Sequence, residues 1–291
     1  MWNSLLNELS IVLHRDFSTA TKIQLASSKK ERLYKVCDDK QSFFVKVATK
    51  DYLEKFEQER MCLNALTKES VFYVADSILV GQSSEFSYHV IEWLDLTEGA
   101  PSDWYNFGVT LAQLHKKHSQ EMFGFDSDNF IGDSPQPNEW HKHWDIFFAE
   151  KRIGYQLQLL ADKHIHLVDI DHFVEIIKHI LHSHHCLPAL VHGDLWRGNI
   201  GFCHGSPSVF DPACYYGDRE VDIAMTELFG KFHQEFYQGY NQTYPLSEKY
   251  QHRKLIYNLY HILNHGNLFG NQYIEDAHLS IVKILQNYGL D

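Results

Sequence analysis

The apolar positions of this chain change period more than once. Residues 2–14 place Leu5, Leu6, Leu9, Val12 and Leu13 at helical spacing, which predicts an amphipathic opening helix. From Lys22 to Val47 the period shortens. Leu33-Tyr-Lys-Val36 and Phe43-Phe-Val-Lys-Val47, separated by Cys37-Asp-Asp-Lys-Gln-Ser42, read as two strands and a hairpin turn. Asp51 to Leu66 returns to helical spacing, with Phe56, Leu63 and Leu66 as its apolar stripe. Val71 to Val74, Ser77 to Val80 and Tyr88 to Leu94 are expected to complete a small antiparallel sheet, which runs out into a linker over residues 95–101. From Trp104 the pattern is mostly helical, with helices expected from Phe107 to His115, Phe147 to Ala161, His172 to His182, Glu220 to Phe229, Leu255 to Leu263 and His278 to Tyr288. Gly124 to Trp140 interrupts it with an irregular segment dense in turn formers, of a length that tends to be functional. The expected class is α+β in two lobes. Residues 1–93 form a small antiparallel β lobe and residues 94–291 a larger helical one.

Candidate chemistry concentrates after Leu190. Leu190 and Val191 deliver His192-Gly193-Asp194 into a loop, an amide follows at Asn199, and after a turn Val209-Phe210 presents Asp211. The spacing from Asp194 to Asn199 equals that of the kinase catalytic loop H-x-D-L-x-x-x-N, Leu195 included. Phosphoryl transfer needs these residue types. One carboxylate accepts the acceptor hydroxyl's proton, while an amide and a second carboxylate hold Mg²⁺ against the phosphates of ATP. Asp194, Asn199 and Asp211 fit those roles in that order. Either aspartate alone reads as an ordinary turn residue; the set at this spacing points to a kinase-like fold.

The lobe before it offers matching parts. Lys46 shares a strand face with Phe44 and Ala48, and Glu57 and Glu59 on the following helix are candidate partners. Glu59 is favoured, because Leu63 and Leu66 follow it at i+4 and i+7. A strand lysine held by a helix glutamate steadies the α- and β-phosphates in kinases. Glu92, Trp93 and Leu94 fall where the lobes join, the expected edge for adenine. Only a short segment separates Asp211 from the helix at Glu220, and no A-P-E motif follows, which favours a small-molecule kinase over a regulated protein kinase. Asp222, in the first turn of that helix, is expected to cap backbone amides near the catalytic loop.

Composition narrows the partners. The 291 residues carry 26 basic against 38 acidic side chains, a net charge of −12, which argues against nucleic acid or an anionic membrane as partner. Hydrophobic residues at 44% suffice for a globular core. Five scattered cysteines without a C-x-x-C pair favour reduced thiols. No apolar run reaches about 18 residues, and the start lacks a basic segment leading into an apolar one. The expectation is a cytoplasmic, soluble protein. His182-Ser-His-His-Cys186 is read as a polar helix end rather than a metal site.

His192-Gly-Asp-Leu-Trp-Arg-Gly-Asn199, Phe210-Asp-Pro-Ala213, the block from Tyr215 to Gly230 and the block from Tyr260 to Gly270 resemble the fructosamine kinase (ketosamine-3-kinase) family. Asp128-Asn-Phe-Ile-Gly132 and Pro135-Gln-Pro-Asn138 match its pattern too, so the resemblance covers essentially the whole chain. It implies ATP-dependent phosphorylation of a ketosamine, a sugar–amine adduct, on its 3-hydroxyl; the phosphate then destabilises the adduct and releases the amine. Asp218 and Asn267 are expected as substrate contacts, since an acidic wall suits a protonated secondary amine. Other small-molecule kinases, of aminoglycoside or choline type, share the catalytic loop, and a pseudokinase keeps the fold. The chain departs from the family between the first two strands, where Ala26-Ser-Ser-Lys-Lys30 has no glycine. The hydroxyls of Ser27 and Ser28 are the expected substitutes over the phosphates.

Overall fold

The computed structural model describes residues 1–69 and 72–289. Helix α1 (Trp2–Val12) buries Leu5, Leu6 and Leu9 of the expected stripe, while Val12 is exposed and Leu13 caps the helix half-buried. Strands β1 (Thr21–Ser27), β2 (Glu31–Cys37) and β3 (Ser42–Thr49) follow, then α2 (Leu53–Glu69), β4 (Tyr73–Val74), β5 (Ser77–Gln82) and β6 (Phe86–Glu92). Five of these strands make an antiparallel sheet in the order β1-β2-β3-β6-β5. The alternation within β3 divides its side chains between two environments. Val45 and Val47 join Leu5, Leu9, Val36 and Val90 in the core beneath α1. Lys46 faces the other way and pairs with Glu59 of α2.

One expected sheet member lies elsewhere. Tyr73–Val74 does not extend the antiparallel sheet; it runs parallel to Ser208–Val209 of the second lobe. A two-residue strand has too little pattern to reveal its partner. Val71, which opened that expected strand, lies outside the described residues.

The second lobe contains α3 (Pro101–His115), a hairpin of β7 (Asn129–Ile131) and β8 (Ser134–Gln136), α4 (Trp144–Phe148), α5 (Tyr155–Ala161) and α6 (Ile170–His182). A π-helical stretch, Ala149–Gly154, joins α4 to α5. Then come β9 (Ala189–Val191), β10 (Ile200–Cys203), β11 (Ser206–Val209) and β12 (Tyr215–Gly217). The chain closes with α7 (Glu220–Met225), α8 (Gln234–Thr243), α9 (Tyr250–Phe269) and α10 (Gln272–Asn287). The helix expected from Glu220 to Phe229 thus stops at Met225, and α8 was not foreseen. Its sequence Gln234-Glu-Phe-Tyr-Gln-Gly-Tyr-Asn-Gln-Thr243 buries only Phe236, Gly239 and Tyr240, a stripe too thin to stand out. Among the described residues no helix is long and apolar enough to cross a membrane.

Helices α3 and α8 pack backbone to backbone. A Cβ on Gly108 would lie 2.0 Å from the Phe236 carbonyl oxygen, and one on Gly239 would lie 2.2 Å from that of Tyr105. Neither obstacle is a flexible side-chain end, so an added methyl must separate the helices. Gly108→Ala is expected to destabilise the protein by about 1–3 kcal/mol. Gly266 of α9, where a Cβ would meet its nearest neighbour at 3.6 Å, should instead gain up to about 1 kcal/mol on change to Ala, because alanine is the better helix former. Urea denaturation of the two variants checks both signs; an unchanged midpoint for Gly108→Ala would refute the close packing.

Candidate active site

The catalytic loop is positioned by one carboxylate. The N–H groups of His192 and Gly193 both donate to Asp222, at 2.8 and 2.9 Å, so the helix that carries Asp222 fixes the loop's path as expected. His115 of α3 lies against the same carboxylate at 3.3 Å and is itself held by the Tyr240 hydroxyl. Burial would raise the Asp222 pKa, but His115, His192 and the backbone donors outweigh it and hold the carboxyl below its usual range. Gly193 has φ +80, and a Cβ there would sit 2.0 Å from the Ala213 carbonyl oxygen, so the middle residue of His-Gly-Asp has to be glycine.

Past that turn, Asn199 donates to the Asp194 carbonyl at 2.9 Å and to its carboxylate at 3.2 Å. Asp211 follows β11 with φ +54, a left-handed conformation that aspartate tolerates better than most residues. Burial, then repulsion from Asp211, raises the Asp194 pKa to about 7 despite the Asn199 amide. Asn199 and Asp211 offer hard oxygen ligands, the donor type Mg²⁺ prefers.

Lys46 bridges the lobes. Its ammonium donates to Glu59 at 2.7 Å and pairs with Asp211, and Glu59 is also approached by His89 at 3.3 Å. Burial disfavours the Lys46 charge, but Asp211, Glu59 and Glu31 outweigh it and hold the pKa above its ordinary value. Glu57, the alternative partner, pairs instead with Arg60 at the surface. On one side of Lys46 and Asp211 lies an apolar slot of about 340 Å³, lined by residues including Leu33, Phe44, Ala75, Glu92, Trp93 and Leu94. On the other side a polar cleft of about 260 Å³ contains Asp194, Trp196, Asn199, Asn129 and Phe130. The Glu92 carboxylate is taken by the Tyr73 hydroxyl and by the Asp76 N–H at 3.2 Å, so Glu92 lines the slot without a free side-chain oxygen acting alone.

Other expected residues are placed differently. Asp218 is 1% exposed and accepts from Tyr257 at 2.6 Å and from the Glu220 N–H at 3.1 Å, with His184 at 2.7 Å. It lines neither the slot nor the cleft, and its oxygens are used by the chain itself. Its motif therefore serves the interior, and the expected substrate contact is withdrawn. Asn267 is likewise outside both spaces; its amide donates to Gln156, and its oxygens accept from Lys163. Ser28 shapes its own turn: its hydroxyl accepts from the N–H groups of Lys30 and Glu31 and lies 3.1 Å from the Glu31 carbonyl. His182 ends α6 as expected. His184 and Cys186 bring ligand atoms to within 4.8 Å of Asp218, but the bonds around that carboxylate already account for the arrangement.

The segment from Gly124 to Trp140 is where sequence reasoning missed most. Within it Gln136 donates to Asn129 at 2.7 Å and to the Ala213 carbonyl at 3.1 Å, Asn129 donates to the Cys214 carbonyl at 2.8 Å, and Tyr260 donates to Gln136 at 2.6 Å. The matched motif residues thus pin the chain just after Asp211. Arg152, fully buried, donates to the Pro137 carbonyl and to Asn138, and lies over the ring of Tyr215 at 4.1 Å. At the hairpin tip Asp133 accepts from Lys30, Lys55 and Tyr52 of the other lobe. The forewarnings in the sequence were the density of turn formers and the motif matches at 128–132 and 135–138, neither of which named a partner.

Two lobes, a lysine–glutamate pair, and a loop presenting aspartate, asparagine and a second aspartate define a kinase-like phosphotransferase. A family model described as fructosamine kinase matches residues 1–287, and the chain belongs to that family. A probable ketoamine kinase of Vibrio parahaemolyticus is 46% identical over 98% of this chain and 99% of its own length. One of Synechocystis is 40% identical over 98% and 97%. The crystal structure of a candidate fructosamine-3-kinase from Haemophilus somnus superposes with a TM-score of 0.92 at 34% identity, covering 98% of both chains. Aminoglycoside phosphotransferase APH(4)-Ia, in complex with ADP and hygromycin B, shares the fold at a TM-score of 0.64 and 14% identity, over 97% of this chain and 98% of its own.

An Asp194 pKa near 7 carries a stability consequence. The folded state holds the proton more tightly than the unfolded chain, so wild-type stability falls as pH rises from the ordinary carboxylate range through about 7. Asp194→Asn removes that penalty. It should be more stable than wild type at pH 8 by roughly 1–3 kcal/mol, and the difference should close below about pH 4. Thermal or urea unfolding at both pH values measures it; a variant less stable at pH 8 would show that the carboxylate is not strained.

Proposed function

We propose that this protein is an ATP-dependent ketosamine kinase that phosphorylates the 3-hydroxyl of a sugar–amine adduct such as a fructosamine or ribulosamine. What carries the reading is the polar cleft in which Asp194, Asn199 and Asp211 stand together beside the Lys46–Glu59 pair. The names borne by its relatives support the substrate class. The apolar slot suits adenine, with its edge toward the backbone at Glu92, Trp93 and Leu94. Lys46, steadied by Glu59, contacts the α- and β-phosphates. Asn199 and Asp211 would hold Mg²⁺, which lessens the charge on the phosphates when bound.

Asp194 accepts the proton of the acceptor hydroxyl as the oxygen bonds to the γ-phosphorus and the bond to ADP breaks; the proton then passes to solvent. The carboxylate must be ionised for this. The rate at limiting acceptor therefore rises with pH as Asp194 ionises, in a range that burial lifts above the usual carboxylate value. The cytoplasm, which supplies ATP and keeps thiols reduced, is the proposed compartment, consistent with five free cysteines.

ADP release with Mg-ATP tests the reading against ribulosyl-lysine, fructosyl-lysine and an aminoglycoside. A ketosamine is expected to drive turnover, and Asp211→Ala should abolish it. Asp194→Asn should slow turnover by about 10²–10⁴-fold. Turnover on the aminoglycoside alone would retain the kinase and remove the ketosamine.

A further inference from the structure

A buried cation stands at the head of a chain of amides that ends beside Asp211. Arg152, in the π-helical stretch before α5, is 0% exposed, and among the described residues no carboxylate pairs with it. Its charge is met by the rings of Phe147 and Tyr215, at 4.6 and 4.1 Å, and by the oxygens of Pro137 and Asn138, at 2.6 and 2.7 Å. Taking a cation out of water on such terms is costly. The direction of its bonds shows what it supports. Asn138 accepts from Arg152 at its side-chain oxygen and donates from its nitrogen to Asn129 Oδ1 at 2.9 Å. Asn129 in turn donates from its nitrogen to the Cys214 carbonyl at 2.8 Å. The amides are aligned head to tail, so each bond polarises the next, and a charged donor at the head strengthens the series. Gln136 runs beside them, accepting from Tyr260 and donating to the Ala213 carbonyl.

The far end of this chain meets a backbone that needs holding. Asp211 has φ +54, and a residue other than glycine keeps a left-handed conformation only where its surroundings over-determine it. Before it, the Phe210 N–H donates to the Asn199 carbonyl at 3.2 Å. After it, the Ala213 N–H donates to the His192 carbonyl at 2.9 Å, and the two side-chain amides take the carbonyls of Ala213 and Cys214. We infer that Arg152 is a positioning residue for Asp211: through Asn138 and Asn129 it fixes the segment after the aspartate, and so the direction in which that carboxylate meets a metal ion. The inference rests on the kinase reading above, in which Asp211 holds Mg²⁺. Arg152 lines neither the slot nor the cleft and acts only through the amides. Their alignment explains why a cation, and not an apolar side chain, occupies this part of the interior.

The test is calorimetric titration with ATP, once in Mg²⁺ and once in EDTA; the ratio of the two dissociation constants reads how much the metal tightens binding. Asn138→Asp is the deciding variant. It gives Arg152 the carboxylate it lacks, which offsets the loss of the N–H bonds to Asn129 and Ser127, yet it cuts the chain of amides. The tightening by Mg²⁺ is expected to fall about tenfold, while affinity in EDTA stays within about twofold of wild type. Arg152→Met should lose as much of the metal's effect. A merely structural role predicts otherwise: a folded Asn138→Asp protein, with a wild-type melting midpoint, that also keeps the wild-type ratio. That result overturns the inference and leaves the kinase reading standing. If one variant fails to fold, the other decides. ATP binding by the wild-type protein that is indifferent to Mg²⁺ would instead overturn the metal role of Asp211, and this inference with it.

Discussion

The whole site hangs on a carboxylate with no access to water. Asp222, 0% exposed, takes the backbone N–H groups of His192 and Gly193, and its charge is tolerated because His115 and Tyr240 complete the shell around it. Breaking such an arrangement by removing one partner leaves a buried charge or buried donors unpaired, a loss of several kcal/mol in comparable systems, on the order of 3–5. The bond ties three elements together: α7 supplies the carboxylate, α3 the histidine, and the loop after β9 the amides. The same negative charge also reaches Asp194 and adds to the rise in its pKa. Holding the loop and raising the Asp194 pKa are two effects of one buried ion.

Lobe closure depends on charges of the opposite kind. The chain carries an excess of acid, and the cleft sets Lys46 and Lys55 among Glu31, Glu59, Asp194 and Asp211. Lys46 is shared between Glu59 of its own lobe and Asp211 of the other, and Asp133 draws Lys30 and Lys55 across the cleft mouth. Lys30 is largely exposed, so its pair is weak and salt-sensitive. Lys46 and Glu59 are nearly closed to water, so their pair is screened far less, whereas Asp211 meets the same lysine from a half-exposed position. The inner contact therefore fixes Lys46 against Asp211, while the outer one at Asp133 is the more exposed of the two links between the lobes.

Legibility in the sequence followed the range of the interactions. The catalytic loop was readable because its residues lie within a few positions of each other and its spacing is set by turn geometry; Gly193 shows why, since no Cβ fits there. Lys46 with Glu59, and Asp222 with the loop, were readable because strand and helix periodicity fixes which way such side chains point. Asp218 and Asn267 failed for the opposite reason. A motif announces that residues matter, but not whether they face a ligand or the interior, and Asp218 turned out to hold Tyr257 and His184. The hairpin carrying Asn129 and Gln136 was hidden because its bonds run to residues about eighty positions away, at Ala213 and Cys214.

The glycine-free loop shows how a local departure can be absorbed. Glycines over phosphates permit positive φ and close backbone approach. Here the turn between β1 and β2 is built by Ser28, whose hydroxyl receives two backbone N–H groups and whose own N–H bonds to the Glu31 carbonyl at 2.8 Å. None of residues 26–30 has a positive φ. The Ser28 hydroxyl is thus committed to the turn, and the neighbouring Lys30 reaches Asp133 of the other lobe. The departure from glycine is thus absorbed locally: Ser28 closes the turn through its own hydrogen bonds, and the charge of Lys30 goes to a contact with Asp133 between the lobes.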